Sequence, residues 1–559
     1  MLNSMMKIIS LLILIISVIV GIMKLINIFE NSETNNYNKL ENRNKVNIAQ
    51  KINDNEIEVG KNNNINKKLN HRINNNKYYY DLIIVGAGLS GLTAAYEANK
   101  LSNNSLKILL LETSSKYGGN SVNEIDGINI LMPSKKYKNK KKKEDSFSSF
   151  FDDSFEFGRY SNDKDLLTLL VNNSYELYDF LFKELNCDSL KLVQSEGSKI
   201  PRTLIYDSPD KTTGKYLSDI IYNKLNNISS VDIFFNSHFI DFVINENHSE
   251  IKGVIYEIQE NYYIFNVTAY SKAVILATGG FGSDFYTDES ILKEYLAQYY
   301  YLPTISTRYT QGIGLKIGRN KGASLIYLRE AEVYPTCFVD LFDRYNRHKT
   351  IAPDLLRELG GILLNKRGKR FCDEIGDRRY VAQSILKNCD IVTDPKIIKQ
   401  YEGFLIINDE IKEKYGEKID DYISSGFFKK YKSFDEFSHD MNISEYYVNI
   451  RKSIISYNQG CDSKRDKFGK KVFPNKFKMG ENIYVAIITP CIFHTLGGLR
   501  ISENAEVLNE AKKPIKGLFA AGQVIGGVHG MISMQGNILT QSTVFGKLAA
   551  NSAVNYIKK

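Results

Sequence analysis

The segment that most restricts how this chain can fold lies at residues 81–112. Asp81-Leu82-Ile83-Ile84-Val85 is an unbroken apolar run of the kind buried on both faces of a parallel sheet. It is followed by Gly86-Ala87-Gly88-Leu89-Ser90-Gly91, a helical stretch to about Lys100, and a second apolar run, Lys107-Ile108-Leu109-Leu110-Leu111, which ends at Glu112. Together they predict a βαβ unit. Within it Gly86 permits a tight turn, Gly88 lets the backbone approach a pyrophosphate, and Gly91 allows the helix to pack closely on the strand. The helix N-terminus then faces the phosphates, and Glu112 is placed to accept hydrogen bonds from an adenosine ribose. The spacing predicts a Rossmann-type dinucleotide site.

A chain of 559 residues exceeds what one core usually supports, so two domains with non-globular ends are expected. The net charge of +9 is concentrated at Lys135, Lys136, Lys138 and Lys140 to Lys143, a run that predicts a solvated surface insertion. No recognised module accompanies that charge, so a nucleic-acid partner is not expected. The six cysteines are scattered, with neither a CxxC pair nor a CxxCH haem attachment, which disfavours a structural metal, a c-type haem and a disulfide framework.

The N-terminus differs in kind. Lys7 precedes an almost unbroken apolar run from Ile8 to Met23, and after Lys24 the apolar character continues to Phe29. Residues 1–29 are therefore predicted to be a membrane segment, with Lys24 snorkelling to the interface. A cleaved signal peptide is the alternative; the lack of a clean small-x-small site favours an uncleaved anchor. Either implies a membrane-anchored or secretory-pathway protein, of endoplasmic-reticulum type rather than mitochondrial, since a transit peptide would be Arg-rich and amphipathic. Residues 30–77, rich in Asn and Lys, carry too little apolar surface to offset ordering entropy and predict a disordered linker.

Later segments specify the cofactor. Gly118-Gly119-Asn120-Ser121 with Gly127-Ile128-Asn129, Ala277-Thr278-Gly279-Gly280-Phe281, and Gly517-Leu518-Phe519-Ala520-Ala521-Gly522 resemble the flavin-binding segments of the fumarate reductase/succinate dehydrogenase flavoprotein family. The resemblance runs from Tyr78 to the C-terminus. It is nearest to the soluble single-chain fumarate reductases of eukaryotes, including the runs Asp354 to Leu364 and Val544 to Ala550. It implies an α/β protein with a discontinuous FAD-binding domain, residues 78–331 and 489–559, and an inserted α+β cap domain, residues 332–488. It places Gly119, Asn120, Ser121, Gly127, Thr278, Gly279, Gly280, Gly522, Gln523 and Asn537 on the cofactor. Asn120 stands where the membrane-complex branch has the histidine that links covalently to the flavin. An amide cannot form that bond, so FAD is expected to be non-covalent. Gln523 replaces the family's usual Glu.

In such reductases the flavin N5 delivers hydride to an activated double bond while a cap arginine protonates the neighbouring carbon. Arg378 matches that acid and Arg357 the relay arginine behind it, with Asp354 where the family usually has Glu. His494 and Thr495 match the pair that holds substrate oxygen. Two further positions depart from the pattern: the cap histidine is Tyr334, and the carboxylate-gripping arginine after Gly527-Val528-His529-Gly530 is Ser533. Three readings follow. The chain reduces fumarate or a close dicarboxylate, or it acts on a different, less anionic unsaturated substrate, or it is a tethered flavoprotein with weak or no turnover. The sequence does not reveal the electron donor, so NADH, free reduced flavin and a partner protein all remain open.

Overall fold

The computed structural model describes residues 77–559, apart from 134–144, 209–210, 248, 261–262 and 394–397. The predicted membrane segment, the linker up to residue 76 and the Lys-rich run lie outside the described residues. Lys77, assigned to the end of the linker, already sits in a short strand paired in parallel with Thr268. Among the described residues no helix is long and apolar enough to cross a membrane.

The elements that position the site are, in chain order, β1 (Leu82–Val85), α1 (Leu89–Leu101), β2 (Ile108–Leu111), β3 (Val231–Phe234), β4 (Ala273–Leu276), β5 (Ala331–Phe338), β6 (Ile362–Leu364), α2 (Arg378–Asn388), β7 (Tyr401–Asn408), β8 (Ile483–Thr495), β9 (Glu506–Leu508), β10 (Pro514–Ala520) and α3 (Asn537–Lys558). One sheet has the order β9-β10-β4-β1-β2-β3 and is parallel except for the edge strand β9. Its register sets Ile275 beside Ile84, Ile84 beside Leu110 and Leu110 beside Ile233. The residues of β1 and β2 are buried on both faces, which is why their runs are apolar throughout rather than alternating. The C-terminal helix α3 lies along α1 and packs on the same sheet.

A second, antiparallel sheet runs β5-β8-β7-β6. Its core joins Phe338, Leu356, Val381, Ile406 and Ile488, whereas the first core takes in the parallel sheet, α1 and α3. The long strands β5 and β8 span the junction: their far ends, Phe338 and Ile488, belong to the second core, while Ile492 belongs to the first. Glu332 of β5 and Phe493 of β8, near this junction, border one cavity.

Candidate active site

The βαβ crossing builds one wall. Gly86 turns with φ of +107°, and a Cβ there would lie 2.3 Å from the Ala277 carbonyl oxygen. A Cβ on Gly91 would lie 1.8 Å from the Gly86 oxygen, so both glycines are demanded by the protein's own packing. Gly88 is different. It has an ordinary φ of −68°, and its Cβ would meet nothing closer than 3.9 Å, projecting instead into a cavity of about 640 Å³. Gly119, Asn120, Ser121, Thr278, Gly279 and Gln523 line the same cavity, as does Glu112, whose carboxylate accepts the Ala87 and Ser114 N–H groups at 2.8 Å each. Asn120 is fixed: its Oδ1 accepts the Thr307 N–H at 2.8 Å and its Nδ2 donates to Ser306 Oγ at 3.3 Å. Gly127, Gly280 and Gly522 lie outside this lining. Asn537, also assigned to the cofactor, is buried away from it, bonded to Asn129 and Ser154 at 2.8 and 3.0 Å.

A chain of charges lies outside this lining. Arg378 opens α2 and donates through Nε to Asp354 at 2.7 Å and through both terminal nitrogens to the two oxygens of Asp126 at 2.6 Å each. Its guanidinium stacks on Tyr334, 4.8 Å from the ring centroid. Asp354 bonds onward to Arg357, which is 2% exposed and donates to the Glu374 carbonyl. Glu374 is paired in turn with Arg370 and Lys470, at 2.7 and 3.0 Å. Burial opposes the Arg378 charge, but Asp126 and Asp354 outweigh it and hold its pKa well above the ordinary arginine value. For Asp354 the two arginines likewise overcome burial and keep the carboxyl ionised.

His494 sits on β8 against the cofactor cavity. Its Nε2 lies 3.1 Å from the Glu124 carboxylate, with Gln523 Nε2 3.4 Å from Nδ1. Burial lowers the His494 pKa, yet Glu124 more than compensates, so the imidazole is held charged above its ordinary range. Thr495 is turned toward the protein: its Oγ1 accepts the Phe281 N–H at 3.1 Å.

A match to the FAD binding domain family covers residues 81–539. The chain belongs to this family. It is 30% identical to the fumarate reductase of Schizosaccharomyces pombe over 479 residues, 84% of this chain and 88% of that protein. Identity is also 30% to fumarate reductase 1 of Saccharomyces cerevisiae, over 85% of this chain and 98% of that one. Among solved structures, the open conformation of a flavocytochrome c3 fumarate reductase shares the fold, with a TM-score of 0.73 at 24% identity over 88% of this chain and 81% of that one. The protein is a fumarate-reductase-like, FAD-dependent oxidoreductase of the kind that acts on CH–CH groups. The cradle fits the cofactor: Gly88 leaves open the space a Cβ would fill, the buried Thr278 Oγ1 has no hydrogen-bond partner among the described residues, and Glu112 stands at the tip of β2.

Against that family background the substrate side is altered. A second cavity of about 660 Å³ is bordered by Arg378, Phe493, Met531 and Ser533, while the neighbouring His494 borders the first. Tyr334 is fully buried and does not line it; the hydroxyl accepts the Asp354 N–H at 3.1 Å, making the ring a platform for Arg378 rather than a substrate grip. Ser533 lines the cavity, and its N–H donates to Glu332 Oε1 at 2.6 Å. Glu332, Glu124 and Asp126 are site residues that the sequence reading missed. The signal for the latter two was available: both fall between Ser121 and Gly127, inside the flavin-binding segment, where an acid next to a cofactor needs a partner.

Proposed function

We propose that this enzyme reduces the C=C bond of an α,β-unsaturated carboxylic acid, with Arg378 as proton donor. The observation that carries the reading is the buried run Arg378–Asp354–Arg357, which ends at the wall of the cavity that Phe493 and Ser533 also border. Bound in its cradle, FAD would supply the hydride; the other hydrogen of the saturated product comes from the protein as a proton. An arginine ordinarily keeps its proton. Arg378 can release one only if the loss is made good at once, and Asp354 provides the route by passing a proton from Arg357. Asp126 holds the guanidinium plane in place during this exchange. His494, charged through Glu124, offers a cation to the substrate carboxylate, and residues 332–488 act as a cap whose closure would exclude water and strengthen these contacts.

With Asn120 engaged by Thr307 and Ser306, FAD is held without a covalent link. Acid precipitation should release all flavin to the supernatant. The apolar run Ile8 to Met23 would tether the enzyme to a membrane, a reading that alkaline carbonate extraction of the full chain tests directly.

Fumarate is the first substrate to try, but Ser533 and Glu332 favour a less anionic unsaturated acid. The test is to reduce the bound FAD without oxygen, using NADH, free reduced flavin or reduced viologen, and to ask which unsaturated acids reoxidise it. Reoxidation by none of them would refute the reading.

A further inference from the structure

We propose that Glu332 determines specificity at the end of the substrate away from Arg378, and that the preferred acid carries an N–H donor there, as an amide or an ammonium, in place of a second carboxylate. This rests on the reading of the chain as a C=C reductase. Glu332 lies on β5 and lines the same cavity as Arg378 and Ser533. One carboxylate oxygen accepts the Ser533 N–H at 2.6 Å; the other has no hydrogen-bond partner among the described residues. A dicarboxylate needs a cation at each end within a site that excludes water. Here the wall at position 533 presents a carboxylate instead, and two like charges in such a space repel strongly because little solvent screens them. An N–H group reverses both terms, since it supplies the partner the free oxygen lacks, and a bond from a donor to an ionised acceptor is among the stronger kinds. The cationic residues that border the cavity or act on Glu332 do not cancel this wall. Arg378 is already committed to Asp126 and Asp354, His494 is paired with Glu124, and Arg159, Lys199, Arg329 and Arg379 are exposed.

The experiment uses the FAD-loaded enzyme and four acids of matched length: fumarate, its monoamide, trans-4-aminocrotonate and crotonate. Two readouts are taken. One is the anaerobic rate at which each acid reoxidises the reduced flavin; the other is the dissociation constant from perturbation of the oxidised flavin spectrum, which reports selectivity without turnover. At about pH 8.5, where Glu332 is ionised, the monoamide and the aminocrotonate should each exceed fumarate by at least about 30-fold in one or both readouts, a difference of about 2 kcal/mol. Crotonate, with the same four-carbon chain but no donor, should fall below them. In Glu332→Gln the aminocrotonate should lose about tenfold or more while fumarate gains. If no acid reoxidises the flavin but the N–H acids still bind tighter than fumarate, the reductase reading fails and the role of Glu332 stands. If fumarate matches or exceeds both N–H acids in the parent enzyme, or if Glu332→Gln leaves the ranking unchanged, the proposal is overturned.

Discussion

The cofactor cradle, bordered by His494, and the substrate cavity, bordered by the neighbouring Phe493, are built from different materials. The cradle is made largely of backbone: Gly86 and Gly91 let main chain meet main chain, and Gly88 leaves room for a ligand. The substrate cavity is made of side chains, with Arg378, Glu332 and Ser533 around it. A backbone cradle tolerates drift everywhere except at its glycines, because what it offers is shape and N–H groups common to all residues. A side-chain wall can be rewritten one residue at a time without disturbing the fold. The first region thus preserves what the family shares, and the second carries what is particular to this chain.

The most severe way to break this contrast is Gly88→Val. A Cβ at this position meets nothing in the protein closer than 3.9 Å, and Gly88 borders the cofactor cavity. The variant should fold, with a circular dichroism spectrum like the parent's, and purify colourless; a full complement of flavin would show that the cofactor lies elsewhere. Next in size is Arg378→Ala. It should keep its flavin and lose about 10²- to 10⁴-fold in turnover, the usual contribution of a positioned acid. Stopped-flow kinetics that leave substrate reduction within about tenfold of the parent would remove Arg378 from that role.

How far each region could be read in the sequence follows the same division. The βαβ unit was legible because its signals are local: two buried strands written as apolar runs, with glycines at fixed offsets between them. Arg378, Arg357 and Asp354 were legible because they fall within one short stretch of chain that resembles a known pattern. The partners that give the site its electrostatics were not. Asp126 lies 252 residues from the Arg378 it grips, and Glu332 lies 201 residues from Ser533. Such pairs are made where the flavin-binding loop meets α2 and where β5 meets the loop before α3, and no spacing rule in one sequence reports them. Tyr334 shows the converse limit of local reading: its position in the chain suggested a substrate contact, and its buried ring lies 4.8 Å from the Arg378 guanidinium.

A third variant sharpens the contrast. Restoring the family's arginine at position 533 should not by itself restore a dicarboxylate grip, because Glu332 is already bonded to that residue's N–H and would capture the new guanidinium. Ser533→Arg alone should raise kcat/KM for fumarate only slightly. Combined with Glu332→Gln, the arginine is free to make two charge-assisted bonds to substrate. Each contributes about 1.5–3 kcal/mol against about 1 for the single neutral bond serine offers. The gain is on the order of 2–5 kcal/mol, or roughly 30- to 5,000-fold in kcat/KM. Equal gains in the single and double variants would show that Glu332 does not reach the arginine.

The smallest expected effect is a pH dependence, and its sign distinguishes the groups that face the substrate. Burial pushes the Glu332 carboxyl up to about 7, with His494 and Arg378 pulling it down and Asp126 pushing it further up. Below that pH Glu332 is neutral and no longer repels a carboxylate. Fumarate kcat/KM should therefore fall as pH rises through 7, by about tenfold between pH 6 and 8 if only the protonated form accepts it. An N–H acid should show the opposite slope, because it gains an ionised acceptor. Two other groups titrate nearby. Glu196, at the cavity rim, is also pushed by burial to about 7, and His494 loses its charge as pH rises, which would weaken carboxylate binding in the same direction. Glu332→Gln separates them. If the fall with fumarate disappears in that variant, Glu332 is the titrating group. A fall that persists unchanged would assign it to His494 or Glu196, and the reversed slope with the N–H acid would then be absent as well.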